Sequence, residues 1–452
     1  MTPRAISADA EAFNLAHLEA VRRIVKGAAS HLANSPAVRA KARRILLDTL
    51  SCAFSGRKAA EMQSLELALA ESDPGLFRLP GGPALSNVSA SMVVAAASAW
   101  DEACEGLPYA HGRPALALVG ALLPVAIERG ASLDALIDSL IAGYETSARA
   151  GGWLRIRPGM HVDGNWPALG VAAGVGVLLG LSPQQRWRAV SAVACQLPAS
   201  LYSPIRSGDD ARNLYSAHAA LLGLMAVQGA RAGIGAPDDV LLEIAREHAI
   251  PDGRPAPTDS RAFILEAYFK PHAGVRHAHY GLEAAAIIRA RLASDTRTIQ
   301  SVHLRIYEEA TRYAGNRNPM AAITGQFSLS LGVAAGLRFG GMRPELFRSE
   351  EFHDRELRRL ERLVNIEAIP DAGATGTRTA TLSVCSGTTQ HQVSVDTLEG
   401  DPARPPTSEQ LIDKFVRYSA GVVEPERSRA FAEALIEAPG SEPFSRLWAA
   451  LS

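Results

Sequence analysis

Histidines and charged residues are grouped in a few segments of this sequence, where they could transfer protons and bind anions. His161 lies between Gly159 and Gly164, directly before an apolar stretch of helical character. A histidine at the start of a helix can meet an anion, because the first backbone N–H groups of a helix have no partner within it. The near-neutral pKa of histidine also suits proton transfer. The alternative interpretation is a histidine that only caps its own loop.

A second group of reactive side chains lies in residues 100–113, with the sequence WDEACEGLPYAHGR. Asp101, His111 and Arg113 occur there, just before another apolar stretch. Carboxylates and a histidine on a loop between buried helices suit general acid–base catalysis. An ordinary solvated loop is the alternative, because charged side chains are usually exposed.

The densest histidine cluster consists of His272, His277 and His279. A metal site would need three or four ligands within tetrahedral reach. In a helix, His277 and His279 would point about 200° apart, which argues against shared chelation. We therefore predict no metal site, and we interpret one of these histidines as a catalytic or substrate-binding residue.

Helices must position these groups, because apolar residues recur at helical spacing through the first 250 or so residues. The predicted helices are nearly apolar all round, so they should be buried against one another. They cover residues 38–54, 115–128, 133–150, 168–181, 184–197 and 211–232. Four glycines between Gly170 and Gly180 resemble a phosphate-binding run, but they lie inside a helical stretch with no preceding strand. We interpret them as small residues that let helices approach closely.

The pattern changes after about residue 265, where segments alternate apolar and polar residues. Strands are predicted at 301–307, 377–385 and 389–396, the last two joined by a turn at Ser386-Gly387. Helices lie between them at 322–339 and 350–363, and helices return at 409–419 and 425–438. The sequence thus predicts a mostly α protein. A large all-helical domain (1–266 and 397–452) would hold an inserted, smaller α/β or α+β domain (267–396), with the site in the cleft between them.

Composition excludes several classes of protein. The 452 residues are 47% hydrophobic and 21% charged, with a formal net charge of -1. That balance does not suggest a nucleic-acid partner or a polybasic membrane surface. The four cysteines are scattered singly, which indicates neither a disulfide framework nor a zinc site. Neither a signal peptide nor a membrane-spanning stretch is predicted, so we expect a cytoplasmic protein.

Several short motifs follow one another in an order and spacing that resemble a known family. They are Leu46-Leu-Asp-Thr-Leu-Ser-Cys52, Gly143-Tyr-Glu145 with Arg149, Gly159-Met-His161 with Leu178-Leu-Gly-Leu181, Lys270-Pro271 with Arg276 and His279, Gln326-Phe-Ser328, and Gly400-Asp-Pro402 with Lys414-Phe415. Together they resemble the MmgE/PrpD family, which includes 2-methylcitrate dehydratase, cis-aconitate decarboxylase and iminodisuccinate epimerase. The resemblance extends over nearly the whole chain.

The resemblance implies a large helical domain built from both chain ends, a smaller α/β lid and a homodimer. It also implies chemistry without a cofactor on small di- and tricarboxylates. In such reactions a proton moves at a carbon beside a carboxylate, and fixed cations hold the developing charge. We therefore predict a lyase that dehydrates or decarboxylates such an acid. An epimerase is the alternative enzyme, and a catalytically silent ligand-binding member is the alternative from another class.

The resemblance also suggests roles for residues, and the chain departs from the family pattern at several of them. Asp101 and His111 match the family loop by spacing, whereas Arg212 replaces a family lysine and Tyr215 a family histidine. We predict that His161 and His111 transfer protons and that Asp101 orients a histidine or acts as a base. The residues predicted to bind substrate carboxylates are Arg113, Arg212, Tyr215, Lys270, Arg276 and His279.

Overall fold

The computed structural model describes residues 7–157, 159–197, 200–249, 254–292, 295–370 and 378–451. The chain is mostly helical, with 61% helix and 11% strand, and a small mixed sheet lies in its C-terminal part. None of the described helices is long and apolar enough to cross a membrane.

The helices before residue 270 carry most of the buried apolar residues. They are α1 (Ala8–Arg23), α2 (Ala29–Ala33), α3 (Pro36–Gly56), α4 (Ala60–Ser72), α5 (Asn87–Trp100), α6 (Ala115–Glu128), α7 (Leu133–Trp153), α8 (Pro167–Leu178), α9 (Pro183–Ala194), α10 (Ser203–Ser207), α11 (Tyr215–Arg231) and α12 (Val240–His248). The Ser132 side chain caps α7 by accepting a hydrogen bond from the Ala135 backbone N–H. A Cβ atom on Gly170 of α8 would overlap Ser147 of α7, which confirms the close-packing interpretation of that glycine.

The later helices divide between two hydrophobic cores. They are α13 (Arg276–Arg291), α14 (Glu308–Ala314), α15 (Ala322–Gln326), α16 (Leu329–Phe339), α17 (Arg355–Leu363), α18 (Ser408–Ser419), α19 (Pro425–Glu437) and α20 (Phe444–Ala449). The last three join the core of the early helices, where Phe415 packs edge-on against Phe54 at 5.6 Å between ring centroids. Both chain ends therefore contribute to one core. The predicted domain boundaries at 266/267 and 396/397 stay a prediction.

Four strands form the C-terminal sheet in the order β6-β5-β7-β8. They are β5 (Ile299–Tyr307), β6 (Val364–Ile369), β7 (Ala380–Ser386) and β8 (Thr389–Val395). Strands β7 and β8 are antiparallel and pair Ser386 with Thr389, which confirms the predicted hairpin turn at Gly387. Strand β6, parallel to β5, was not predicted. Leu304 and Val384 of this sheet pack with Leu282 and Leu331 in the second core.

The prediction of an all-helical first part is wrong in one respect. Two short antiparallel ladders lie within it, formed by β1 (Phe77–Arg78) with β2 (Ala84–Leu85), and by β3 (Met160–His161) with β4 (Ser200–Leu201). Strands of two residues are too short for an alternating pattern to be visible in the sequence. The second ladder matters for the site, because it fixes the backbone of His161.

Candidate active site

A cavity of about 350 Å³ lies where the early helices meet the elements of the C-terminal sheet. That volume is in the range of sites for small molecules. The loop of residues 100–113 and the segment around His161 line one side, and the start of α13 with α14 lines the other. Of the predicted site residues, His111, Arg113, His161 and Arg276 line this cavity.

Backbone hydrogen bonds help to hold the loop of residues 100–113 in place. Gly106 and Tyr268 donate to each other's carbonyl groups at 3.1 and 2.9 Å. The loop then folds back on itself, with Leu107 donating to Gly112 at 2.8 Å. Glu102 and His111 both adopt positive φ angles, of 51° and 53°, a left-handed conformation uncommon for residues other than glycine. The chain therefore fixes both residues at some conformational cost.

A buried ion pair also stabilises this loop. Asp48 of α3 accepts hydrogen bonds from the Glu105 backbone N–H at 2.8 Å and from Lys414 Nζ at 2.6 Å. Lys414 also donates to the Lys270 carbonyl at 3.0 Å. Asp48 and Lys414 belong to motifs that carried the family resemblance, and they connect α3, α18 and the site loop.

His161 is 8% exposed and its ring faces the cavity together with Tyr202, whose ring stacks on it at 5.9 Å. Its Nδ1 accepts a hydrogen bond from the Asp163 backbone N–H at 3.3 Å, so the neutral ring carries its proton on Nε2. Burial lowers the pKa of His161, against the opposing effect of the Asp163 carboxylate. No described residue is hydrogen-bonded to Nε2, so this N–H group can meet a ligand.

Three of the predicted substrate-binding cations converge on one carboxylate of the protein, that of Glu102. Arg113 Nη1 lies 2.6 Å from Glu102 Oε2, and Lys270 Nζ lies 3.0 Å from Oε1. Arg212 forms a further ion pair with Oε2. All four side chains are buried, and Glu102 itself lines the cavity, whereas Arg212 and Lys270 lie behind it. We call Glu102, Arg113, Arg212 and Lys270 the Glu102 cluster.

Two other predicted residues have partners at the cavity. His111 Nε2 accepts a hydrogen bond from Arg155 at 2.7 Å, because a guanidinium can only donate. Desolvation of the ring, followed by repulsion from the positive charges of Arg155 and Arg378, lowers the pKa of His111 to about 4. Arg276 pairs with Asp401, and its guanidinium lies 3.8 Å from the centre of the Tyr268 ring.

The structure places the remaining predicted residues outside the cavity lining. Asp101 accepts a hydrogen bond from Ser55 Oγ at 2.6 Å and pairs with Arg348. His279 Nε2 bonds the Ala273 carbonyl at 3.2 Å. Tyr215 is closer to the site, with its ring 5.9 Å from that of His161 and its hydroxyl donating to the Leu201 carbonyl.

Six charged or histidine residues of the cavity were not assigned to the site from sequence: Glu102, Arg155, Asp163, His277, Glu309 and Arg378. Glu102 and Asp163 are close in sequence to predicted residues, and His277 belongs to the histidine cluster, so a signal existed for all three. Arg378 pairs with Glu309 at 2.8 Å across the cavity wall. The sequence around Arg378 shows no pattern typical of a site, because only the folding of the sheet brings this residue to the cavity.

No group of three or more histidine, cysteine or acidic side chains able to hold a metal ion occurs among the described residues. His277 and His279, both on α13, contact different neighbours. His277 Nδ1 is 2.5 Å from the Tyr307 hydroxyl, whereas the His279 ring meets that of His272 edge-on.

Comparison with family models adds an independent finding. Residues 22–245 match the MmgE/PrpD N-terminal domain, and residues 272–437 match the MmgE/PrpD C-terminal domain. The two matches cover most of the chain. The first match includes Glu102 and His161, and the second includes Arg276, so the cavity lies between the two matched segments. No curated protein sequence matches the chain.

Proposed function

The chain belongs to the MmgE/PrpD family, and from this premise we propose that it is a cofactor-independent lyase. The proposed reaction removes water or carbon dioxide from a small di- or tricarboxylate by moving a proton beside a carboxylate group. The observation that carries the proposal is the single cavity that His161, His111 and Arg276 line together. Two groups that can exchange protons and a cation that can hold an anion are the components this chemistry requires.

In this proposal His161 acts through Nε2. Its lowered pKa keeps the ring neutral at pH 7, and its Nε2–H donates to the oxygen on which negative charge develops. The Asp163 backbone N–H holds the ring in this tautomer through Nδ1, and the Asp163 carboxylate lies beside it with Oδ2 3.7 Å from Nδ1. Asp163 is therefore a positioning residue for His161.

His111 is the second proton-transfer group of the proposal. Its lowered pKa leaves the ring unprotonated, and Nε2 accepts a hydrogen bond from Arg155. A substrate carboxylate bound by Arg155 would release this nitrogen, so substrate binding and formation of the base are coupled. Arg276 and Arg378 supply further donors to carboxylate oxygens from the opposite wall.

A ligand screen followed by product analysis tests the proposal. Thermal-shift assays against di- and tricarboxylates identify ligands that stabilise the folded protein. Each hit is then incubated with enzyme and followed by mass spectrometry. Loss of 18 or 44 mass units (about the mass of water or carbon dioxide) supports lyase chemistry, whereas ligand stabilisation with unchanged mass for every hit contradicts it.

The proposal includes two further expectations that come from the family resemblance. One is a homodimer, which light scattering on the purified protein tests directly. The other is the division into a helical domain (1–266 and 397–452) and a lid (267–396). Limited proteolysis near residues 267 and 396 would test that division.

A further inference from the structure

The carboxylate of Glu102 occupies the position where the sequence predicted a carboxylate of the substrate. Arg113, Arg212 and Lys270 were each expected to bind a ligand anion, and each instead contacts Glu102. Lys270 Nζ also donates to the Glu102 backbone carbonyl at 2.5 Å. Lys270 therefore holds both the side chain and the backbone of Glu102.

The four side chains of the Glu102 cluster are almost completely buried. Arg212 is 0%, Lys270 1%, and both Arg113 and Glu102 5% exposed. Buried charges of one sign must be balanced, because transfer of an unpaired ion out of water is costly. Within the part of the chain that the structure describes, the only other carboxylate paired with these cations is that of Asp163, on Arg113. An anion at the position of the Glu102 side chain therefore balances the positive charge of the cluster.

The backbone at Glu102 adopts a strained conformation. Its φ angle of 51° is in the left-handed region, which a residue with a side chain adopts only when its surroundings compensate for the strain. Within the Glu102 cluster, Glu102 and Arg113 line the cavity. An external anion entering the cavity could therefore reach the same cations if the glutamate side chain were absent.

We propose that Glu102 is a built-in carboxylate that fills an anion site of the cavity and thereby excludes one carboxylate group of a substrate. The inference rests on the proposed function, in which the substrate is a small polycarboxylate. With this site filled, the ligand is held by the arginines of the remaining cavity wall. The substrate is a dicarboxylate rather than a tricarboxylate.

The Glu102→Gly variant tests the built-in carboxylate without any need for turnover. Glycine accepts the positive φ angle and leaves a space with the shape of propionate, which reproduces the lost side chain. We expect the variant to melt several degrees below the wild type, and 100 mM sodium propionate to restore most of that loss. Neutral propionamide and sodium chloride should restore little. The Glu102→Gln variant is the matched control, because glutamine fills the space and should gain nothing from propionate.

The outcome that overturns the built-in carboxylate is a Glu102→Gly protein that propionate stabilises no more than sodium chloride does. A variant that stays insoluble even when it is prepared in propionate, while Glu102→Gln is soluble, overturns it equally.

The substrate class is tested on the wild type with two compounds of similar shape. We expect glutarate, a dicarboxylate, to stabilise the wild type more than the tricarboxylate tricarballylate does. The opposite order overturns the dicarboxylate assignment. If neither compound nor any other polycarboxylate binds, the proposed function fails, and the propionate result still decides whether Glu102 fills an anion site.

Discussion

The Arg113 guanidinium, whose Nη1 lies 2.6 Å from Glu102 Oε2, also pairs with the carboxylate of Asp163 beside His161. One side chain therefore connects the Glu102 cluster to the main candidate for proton transfer. The planar fork of arginine suits this position, because it can donate to two carboxylates in fixed directions. The Arg113 side chain thus links the charge balance of the cluster to the residue that orients His161.

Replacement of His161 by asparagine should reduce kcat by about 10²–10⁴-fold, the usual contribution of one acid–base group. Asparagine is smaller than the imidazole and remains polar, so the fold should be retained in circular dichroism and melting curves. Steady-state kinetics on the substrate found by screening measures the effect. The control is His31→Asn, because His31 is exposed on α2 and does not line the cavity. Near-normal turnover by the His161 variant would move proton transfer to another residue.

Arg212→Lys should lower stability without creating a new activity. Arg212 donates to the Ala99 carbonyl and to Asn213 Oδ1 in addition to pairing with Glu102, and a single ammonium group cannot reproduce all three contacts. Loss of one or two buried hydrogen bonds costs about 1–3 kcal/mol in the free energy of unfolding, which urea denaturation measures. Dehydration of 2-methylcitrate gained by this substitution alone would show that the missing amine is a catalytic group.

Glu105→Gln should alter how stability depends on pH. Burial raises the pKa of Glu105 to about 7 from 4.5, despite hydrogen bonds from Ala115 and Tyr144. Between pH 4.5 and 7 the folded protein therefore binds more protons at this site than the unfolded chain, and the contribution of Glu105 to wild-type stability falls as the pH rises. Glutamine does not titrate. The variant should gain about 3 kcal/mol relative to the wild type across this window. A difference between the two proteins that stays constant from pH 4.5 to 7 would contradict the assignment.

Exhaustive chelation should leave activity unchanged. The prediction follows from the scattered cysteines and from the different neighbours of His277 and His279 on α13. The rate is measured on protein dialysed against a chelator and again after zinc or magnesium is added. Activity that is lost on dialysis and restored by one of these ions would contradict cofactor-free chemistry.

The sequence predicted the elements with strong periodicity and missed those that depend on partners distant in sequence. The predicted helix at 115–128 agrees with α6, because a proline before it and Gly130 after it mark both ends. Strand β6 follows α17 without a turn residue, so the sequence showed no boundary there. The ladder of β3 with β4 consists of two residue pairs, which only the tertiary fold brings together.

Several of the predicted site residues lie together in the structure, and their roles stay predictions. His161, His111 and Arg276 line one cavity, although they lie far apart in the sequence. The positions of Arg113 and Arg212 on Glu102 could not be predicted, because the choice between an internal and an external carboxylate depends on a backbone conformation. The positive φ of Glu102 has no marker in the sequence, since glycine would be the expected residue there.

The most direct test of the proposed chemistry is proton NMR of a substrate found by screening, incubated in D₂O with chelator-treated wild type and with His161→Asn. We predict that the wild type converts the acid to an alkene product, with new vinyl signals, and that His161→Asn does so at least about 100-fold more slowly. Deuterium entering the substrate at an unchanged carbon skeleton, with no alkene formed, would contradict the lyase and identify an epimerase instead.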